Sequence, residues 1–554
     1  MNAVLCGELF SETLGSRSFL TARCDPPTGM GRPFPRRRFL AGAVAAGVLP
    51  SFHVLAQEQQ QPAQQAPAPA ENAPAAQAFS FDQVRDLARK SASHPFQKPD
   101  ESLPDYLNKI NYDQYRDIRF RPEQSLWRGD GLPFEVQFFH RGFLFKSRVE
   151  ISVVDGGQVQ PVQFNPSQFH YGNNAFPTPV PADLGYAGFR LHFPLNRPDY
   201  KDEVAVFLGA SYFRVLGAGQ LYGASARGLG INTALPSGEE FPIFRSFWLE
   251  RPAQNAAYIR FWALLDSPSL AGAYQFVLHP GAATTMDIDC SLYTRAKVEK
   301  LGLAPLTSMF FSGEAGRPKF VDYRPEVHDS DGLLVSPSPQ EWRWRPLENP
   351  DKLQITTQPL RNPHGFGLLQ RDRNFGDYQD LESRFEKRPS LWIETKGEWG
   401  EGAIELIEIP SNAEANDNIV ASFTPSKPVE AGQEVVRSYT LRAFLEDDQI
   451  PPLARAAATR ISLRNPGHEK AVRMVVDFAG GILPTLPNDA ALTAEVSVSP
   501  ARLIHLNLQR NVVSGGWRVS FLFEPQSGDP IELRLFLRKE EQILTETWTW
   551  RWTP

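Results

Sequence analysis

The chain has 554 residues, 42% hydrophobic and 11% aromatic, with 48 prolines, 40 glycines and three cysteines, a composition that suits a large core built from many short strands and turns. Its formal charge is −6, and residues 1–56 hold six arginines against Glu8, Glu12 and Asp25, so the remainder carries −9. A chain this acidic lacks the basic face that nucleic-acid phosphates require, which excludes nucleic acid as a partner.

Arg36-Arg37-Arg38-Phe39-Leu40 precedes an apolar run, Ala41 to Leu49, and then Val54-Leu55-Ala56. Charge, a short apolar stretch and a small residue make a secretory signal over residues 1–56, and the paired arginines resemble the twin-arginine export signal. The apolar run is too short to span a bilayer, so no membrane-spanning segment is expected after cleavage. Residues 1–29 have no place in such a signal, which makes Met30 the expected start. Cys6 and Cys24 fall in the removed part, leaving Cys290 as a small buried residue with no disulfide partner. Residues 57–78 are Gln, Ala and Pro with almost nothing to bury and read as a disordered linker.

The fold is expected to start at Phe79. Ser80 and Gln83 form a capping box, and Val84, Leu87 and Ala88 give one apolar face, so a short helix is predicted from Phe81 to about Ser91. From Gln114 the pattern is β. Val149, Ile151 and Val153 alternate with polar neighbours, Asp155-Gly156-Gly157 turns the chain, and Val159 and Val162 return. Further strands are predicted at 188–193, 203–208, 257–265 and 273–278. No βαβ units recur, so residues 79–446 read as one large antiparallel β-sandwich. Asp447-Asp448-Gln-Ile-Pro-Pro452 opens a linker over 447–457. Alternating strands at 472–478, 503–508, 517–523 and 531–537, then Trp548, Trp550 and Trp552, predict an immunoglobulin-like sandwich over 458–554.

Between Val321 and Ile419 acids, arginines and rings interleave with Gly and Pro, and these segments read as loops carried on strands, where functional groups concentrate. Asp329-Ser-Asp-Gly332, and Glu414 and Asp417 in a Pro/Ser/Asn-rich loop, read either as solvated turns or as chemistry. The ten histidines show no ligand spacing, and the calcium-like start at Asp329 lacks its closing acid, so no metal is expected. Gly228-Leu-Gly230 lacks the third glycine and the βαβ setting of a dinucleotide site, and no cofactor is expected. Tyr212, Trp344, Tyr378, Phe385 and Arg388 set flat apolar faces beside hydrogen-bond donors, a mixture that suits a carbohydrate cleft.

Phe207-Leu-Gly-Ala-Ser-Tyr-Phe-Arg214, Tyr222-Gly-Ala-Ser-Ala-Arg-Gly228, Ala263-Leu-Leu-Asp-Ser267, His328-Asp-Ser-Asp331, Gly365-Phe-Gly-Leu-Leu-Gln-Arg-Asp372 and Arg388-Pro-Ser-Leu-Trp392 resemble the periplasmic glucans biosynthesis protein D/G family over about residues 79–549. The export signal makes the D branch the closer fit. The resemblance implies an all-β fold, a large mutarotase-like sandwich followed by an immunoglobulin-like one, and a periplasmic location. It implies a role in making osmoregulated periplasmic glucans, with β-1,2-linked glucan as ligand and a membrane glucan synthase as partner. The activity implied is inverting endo-hydrolysis of β-1,2-glucan, with glucan binding without cleavage as the alternative. Matched by motif, Asp417 is the general acid, Asp329 the general base and Glu414 a further acid in the cleft. Phe385 stands where the D branch can carry Tyr. Partial burial and the charge of Glu414 are expected to raise the Asp417 pKa, and Arg324 or an arginine of 371–388 to hold Asp329 ionised.

Overall fold

The computed structural model describes residues 78–315 and 321–553. The signal, the expected start and residues 57–77 of the expected linker lie outside them. The protein is all-β and sandwich-like, with few and short helices. Among the described residues no helix is long and apolar enough to cross a membrane.

The helix spans Phe81–Ala92, and both arms of the Ser80/Gln83 capping box form. Its buried face, Val84 and Ala88, packs with Trp262, Ala271, Ala273 and Tyr293 on the outer side of a sheet. The hairpin after it forms as Glu150–Asp155 and Gln158–Pro161. Gly156 and Gly157 both have positive φ, at 55° and 82°, which the tight turn requires and which glycine adopts without strain.

Two large sheets of ten and fifteen strands make the body. Their inner faces meet through aromatic rings from both, with Phe189 against Phe247 at 4.9 Å and Phe207 against Phe261 at 5.3 Å. Aromatic contacts of this kind add to the area they bury. Tyr186–Arg197, Tyr200–Leu208, Leu301–Ser308 and Ile419–Pro425 belong to the ten-stranded sheet. The fifteen-stranded sheet carries Ile259–Asp266, Leu270–His279, Thr284–Thr294, Glu434–Phe444, Ser390–Lys396 and Gly365–Leu369. Cys290 is buried within Thr284–Thr294 and free.

The C-terminal strands close a second core. Arg455–Ser462, Val472–Ala479, Gly516–Pro525 and Ala501–Asn511 form a four-stranded sheet. It faces Ile531–Lys539 and Thr547–Trp552, with Phe521 against Trp548 at 6.2 Å and Phe523 against Trp552 at 5.8 Å. Trp548 and Trp550 stack at 6.3 Å, which explains their spacing in the sequence. Hydrogen bonding runs unbroken from one core to the other. Thr547 and Trp548 pair in parallel with Arg343 and Trp344, so Thr547–Trp552 and Ile531–Lys539 continue the fifteen-stranded sheet.

Two stretches expected as loops are strands. Trp342 to Pro346 lies in Glu341–Pro346 and Gly365 to Leu369 forms Gly365–Leu369, both largely buried. A strand covered on both faces shows no alternation, which hides it from pattern reading. In this second strand Gly367 lies against backbone: a Cβ there would collide with the Leu391 carbonyl and sit 2.9 Å from the Trp392 Cα. Neither obstacle can rotate away. Gly367→Ala is expected to cost about 2–3 kcal/mol, as overpacking does, read as a lower denaturation midpoint in urea at unchanged slope.

Candidate functional site

The two acids are anchored to the same short piece of chain. Leu301–Ser308 pairs with Ile419–Pro425, Ser308 opposite Ile419. Immediately after it, Phe310–Ser312 pairs with Val327–His328, Phe310 opposite His328. Asp329 follows His328, and its N–H donates to the Met309 carbonyl at 2.8 Å. Asp417 precedes Asn418, whose side chain accepts from the Phe310 N–H at 2.8 Å and donates to the Phe310 and Ile409 carbonyls, each at 3.0 Å. Residues 309–310 therefore hold both acid-bearing loops, and sheet register alone brings together positions 88 apart in sequence.

Asp417 has a buried Oδ2 with no hydrogen-bond partner. Burial pushes its carboxyl up to about 6, with the negative charge of Asp329 adding to the rise and Arg214, Arg388 and Arg227 opposing it. Glu414 is not among these main causes: its carboxylate is engaged by Arg324 at 2.7 Å. Asp329 is 4% exposed and pairs with Arg388 Nη1. Arg388 also lies over the Phe385 ring at 4.2 Å and donates through Nε to the Ser383 carbonyl at 3.3 Å. Of the arginines expected beside Asp329, Arg388 takes the place; Arg324 is occupied by Asp322, Asp380 and Glu414. Gly223 makes room for this arrangement, since a Cβ there would sit 2.8 Å from the Arg388 Cβ.

The aromatic candidates divide. Phe385 and Tyr378 are buried together, 5.7 Å apart, with Met309 and Val327, and brace the Asp329 loop through Arg388 and His328. Tyr212 is buried with the Arg227 guanidinium 5.0 Å from its ring, on the flank that reaches Asp417. Trp344 is not among these groups. It lies 3.4 Å under the Arg371 guanidinium in the second core. Sequence reading gave Arg214 and Arg227 no role towards Asp417. The available signal was a charged residue inside a short apolar strand, for Arg214 and Arg227 are 4% and 2% exposed.

A small cavity of about 40 Å³ lies beside His328 and Asp331, lined also by Glu314, Glu326, Trp344 and Asp372 and, on the other side, by Ala456 to Thr459. Donor atoms of Glu326, His328, Asp331 and Asp372 lie within 4.8 Å of one another, a spacing a metal ion could use. His328, however, faces acceptors through both ring nitrogens: Nδ1 meets Gln370 Oε1 at 2.8 Å and Nε2 meets Glu326 Oε2 at 2.8 Å. The Gln370 amide is oriented by its own donation to the His328 carbonyl at 2.9 Å. Two acceptors require two N–H groups, so the ring is an imidazolium and has no lone pair for a metal. Burial opposes that charge, but Asp331 and Glu326 outweigh it and raise the pKa to about 9. Burial and the charges of Asp331 and Glu326 hold Asp372 far above the usual carboxylate range. The cluster reads as a charge-compensated brace behind Asp329.

Residues 79–552 match the model of a family described as "Periplasmic glucan biosynthesis protein, MdoG". A Bradyrhizobium diazoefficiens protein named Glucans biosynthesis protein G is 48% identical over 476 residues, 86% of this chain and 94% of its own length. A Rhodopseudomonas palustris protein of that name is 47% identical over 520 residues, covering 94% and 99% of the two chains. One from Vibrio cholerae is 44% identical over 479 residues, covering 86% and 87%. All three carry the name of the G branch, whereas the export signal had pointed to the D branch. A match that takes in both cores and both acid loops leaves no second assignment: the chain belongs to the periplasmic glucan biosynthesis protein (MdoG) family.

Proposed function

We propose that this protein acts in the periplasm as an inverting endo-hydrolase of β-1,2-linked glucan, trimming the glucose backbone during its synthesis. The observation that supports this most is the pairing of unlike carboxyls on one anchor: Asp417, half-buried, with its pKa pushed up to about 6, and Asp329, held by Arg388. An inverting glycosidase needs an acid that keeps its proton near neutrality and a carboxylate that activates water on the opposite face of the sugar. Asp417 protonates the leaving glycosidic oxygen; its Oδ2 makes no hydrogen bond that would compete for that proton. Asp329 takes the proton from the attacking water. Arg214 and Arg227, buried behind Asp417, oppose the rise of its pKa and keep it from going higher.

The second reading, a glucan-holding partner of the membrane synthase that does not cleave, is favoured by one observation. The Arg388 ion pair already occupies the Asp329 carboxylate that would have to take the proton from water. Purified protein mixed with linear β-1,2-glucan separates the two. Hydrolysis predicts new reducing ends; binding alone predicts heat of association without them.

A pH dependence follows for the hydrolytic reading. The acid works only when protonated, so kcat is expected to fall as pH rises through about 6, on an alkaline limb set by Asp417. Rates measured from pH 5 to 8 check it, and activity that kept rising through this window would remove Asp417 from the acid role.

A further inference from the structure

Arg324 lies in an irregular loop, yet its side chain is only 12% exposed. Its guanidinium meets three carboxylates. Nε and Nη2 reach Asp322 at 3.0 and 2.8 Å, Nη1 reaches Asp380 at 2.9 Å, and Nη2 also reaches Glu414 at 2.7 Å. The Asp322 contact is local and fixes the side chain. The other two join separate loops, 379–384 and 410–417.

Those loops lead to the two acids. Asp380 Oδ1 accepts from the Ser383 N–H at 2.8 Å, the Ser383 carbonyl accepts from Arg388 Nε at 3.3 Å, and Arg388 pairs with Asp329. On the other side, Glu414 stands three residues before Asp417. Residues 309–310 join the acids on the inner side; Arg324 joins them on the outer side. The 410–418 loop is pinned at its ends, where Ser411 N–H donates to Asn349 Oδ1 at 2.9 Å and Asn418 binds Phe310. Between those ends, among the described residues, the side-chain tie to another loop is Glu414 to Arg324.

Charge makes this tie more than a contact. Hydrogen bonding and charge from Arg324 hold Asp322 below its usual range. Burial works to raise Asp380, but the Ser383 and Glu382 N–H groups and Arg324 bring it below its usual range. Without the guanidinium, carboxylates from three loops would face one another unneutralised, and repulsion would part them. Lysine keeps the charge but lacks the planar fork that reaches several carboxylates at once.

We infer that Arg324 is a positioning residue, a clasp that holds the 410–418 loop beside the Arg388 loop and so fixes where Asp417 presents its carboxyl. The positioning role rests on the hydrolytic reading above; the clasp itself does not.

The test compares the full-length protein with its Arg324→Ala and Arg324→Lys variants. Hydrogen exchange of peptides covering 410–418 is expected to quicken by about tenfold or more in the alanine variant, with the 301–308 strand unchanged. The lysine variant falls between, and it keeps the test readable where the alanine variant does not fold. On linear β-1,2-glucan, Arg324→Ala is expected to lower kcat by roughly thirtyfold at nearly constant KM, since misplacing a reacting group by about 1 Å costs up to about a hundredfold. The alkaline limb is expected to move to lower pH, because a released loop lets water reach Asp417; a merely structural role would leave that limb in place. Unchanged exchange overturns the clasp. Faster exchange with kcat and the limb unmoved overturns the positioning role. A wild-type protein that releases no reducing ends overturns the hydrolytic reading and the positioning role with it, and exchange then decides the clasp alone.

Discussion

Asp417→Asn is expected to lower the release of reducing ends from β-1,2-glucan by about a thousandfold, with KM changed by no more than about threefold, as loss of a general acid commonly costs 10²–10⁴. Asparagine keeps the shape of the side chain, and Asn418, not residue 417, anchors the loop to Phe310, so the fold should be untouched. What is lost is a proton at the leaving oxygen. Asp329→Asn is expected to lose as much activity, but with a lower melting temperature, because the half-buried Arg388 would lose its carboxylate partner. Initial rates by reducing-end assay, with melting curves on the same samples, check both. An Asp417→Asn protein within about tenfold of the wild type would take Asp417 out of the chemistry.

The largest expected effect on stability lies behind the site, where the two cores join. Arg371 and Glu546 are 8% and 0% exposed in their side chains and pair twice, at 2.6 and 2.8 Å. Glu546 also accepts from the Ala456 N–H at 2.8 Å, and Arg371 donates to the Ala456 carbonyl at 2.9 Å while lying over Trp344. The Arg371 N–H donates to Asp331, which ties this pair to the His328 brace. Removing one member leaves an uncompensated charge in a dry place, which costs about 3–5 kcal/mol. Arg371→Met and Glu546→Leu should each lower stability by that much in urea titrations. The double variant should recover part of it, since two matched apolar residues leave no orphan charge. Single variants within about 1 kcal/mol of the wild type would mean that the pair does not hold the cores together.

Much of the fold could be read from local pattern. The helix from Phe81 rests on a capping box and one apolar face, and the hairpin at Asp155 on two glycines with positive φ; both signals are complete within a dozen residues. The strands at 472–479 and 516–525 alternate because one face is covered. What stayed hidden was long-range pairing. Nothing near Trp548 announces that it will pair in parallel with Trp344 and carry the sheet across into the second core, so Trp344 looked like a cleft residue. The site divides the same way. Asp329 and Asp417 stand out by motif, but which arginine serves which acid depends on how three loops fold together. Arg324, adjacent in sequence to the Asp329 loop, goes to Glu414, and the more distant Arg388 goes to Asp329. Glu414, expected to raise the Asp417 pKa, is spent on that clasp instead.

Under the proposed hydrolysis, Asp417, with its raised pKa, and the arginine-held Asp329 act together on β-1,2-glucan with inversion. Proton NMR of the anomeric region, followed from the first minutes after purified protein meets linear β-1,2-glucan, tests it most directly. With inversion, α-anomeric reducing ends appear first and relax to the equilibrium mixture. Reducing ends that appear first as the β-anomer, or no new ends while the glucan is bound, would contradict it.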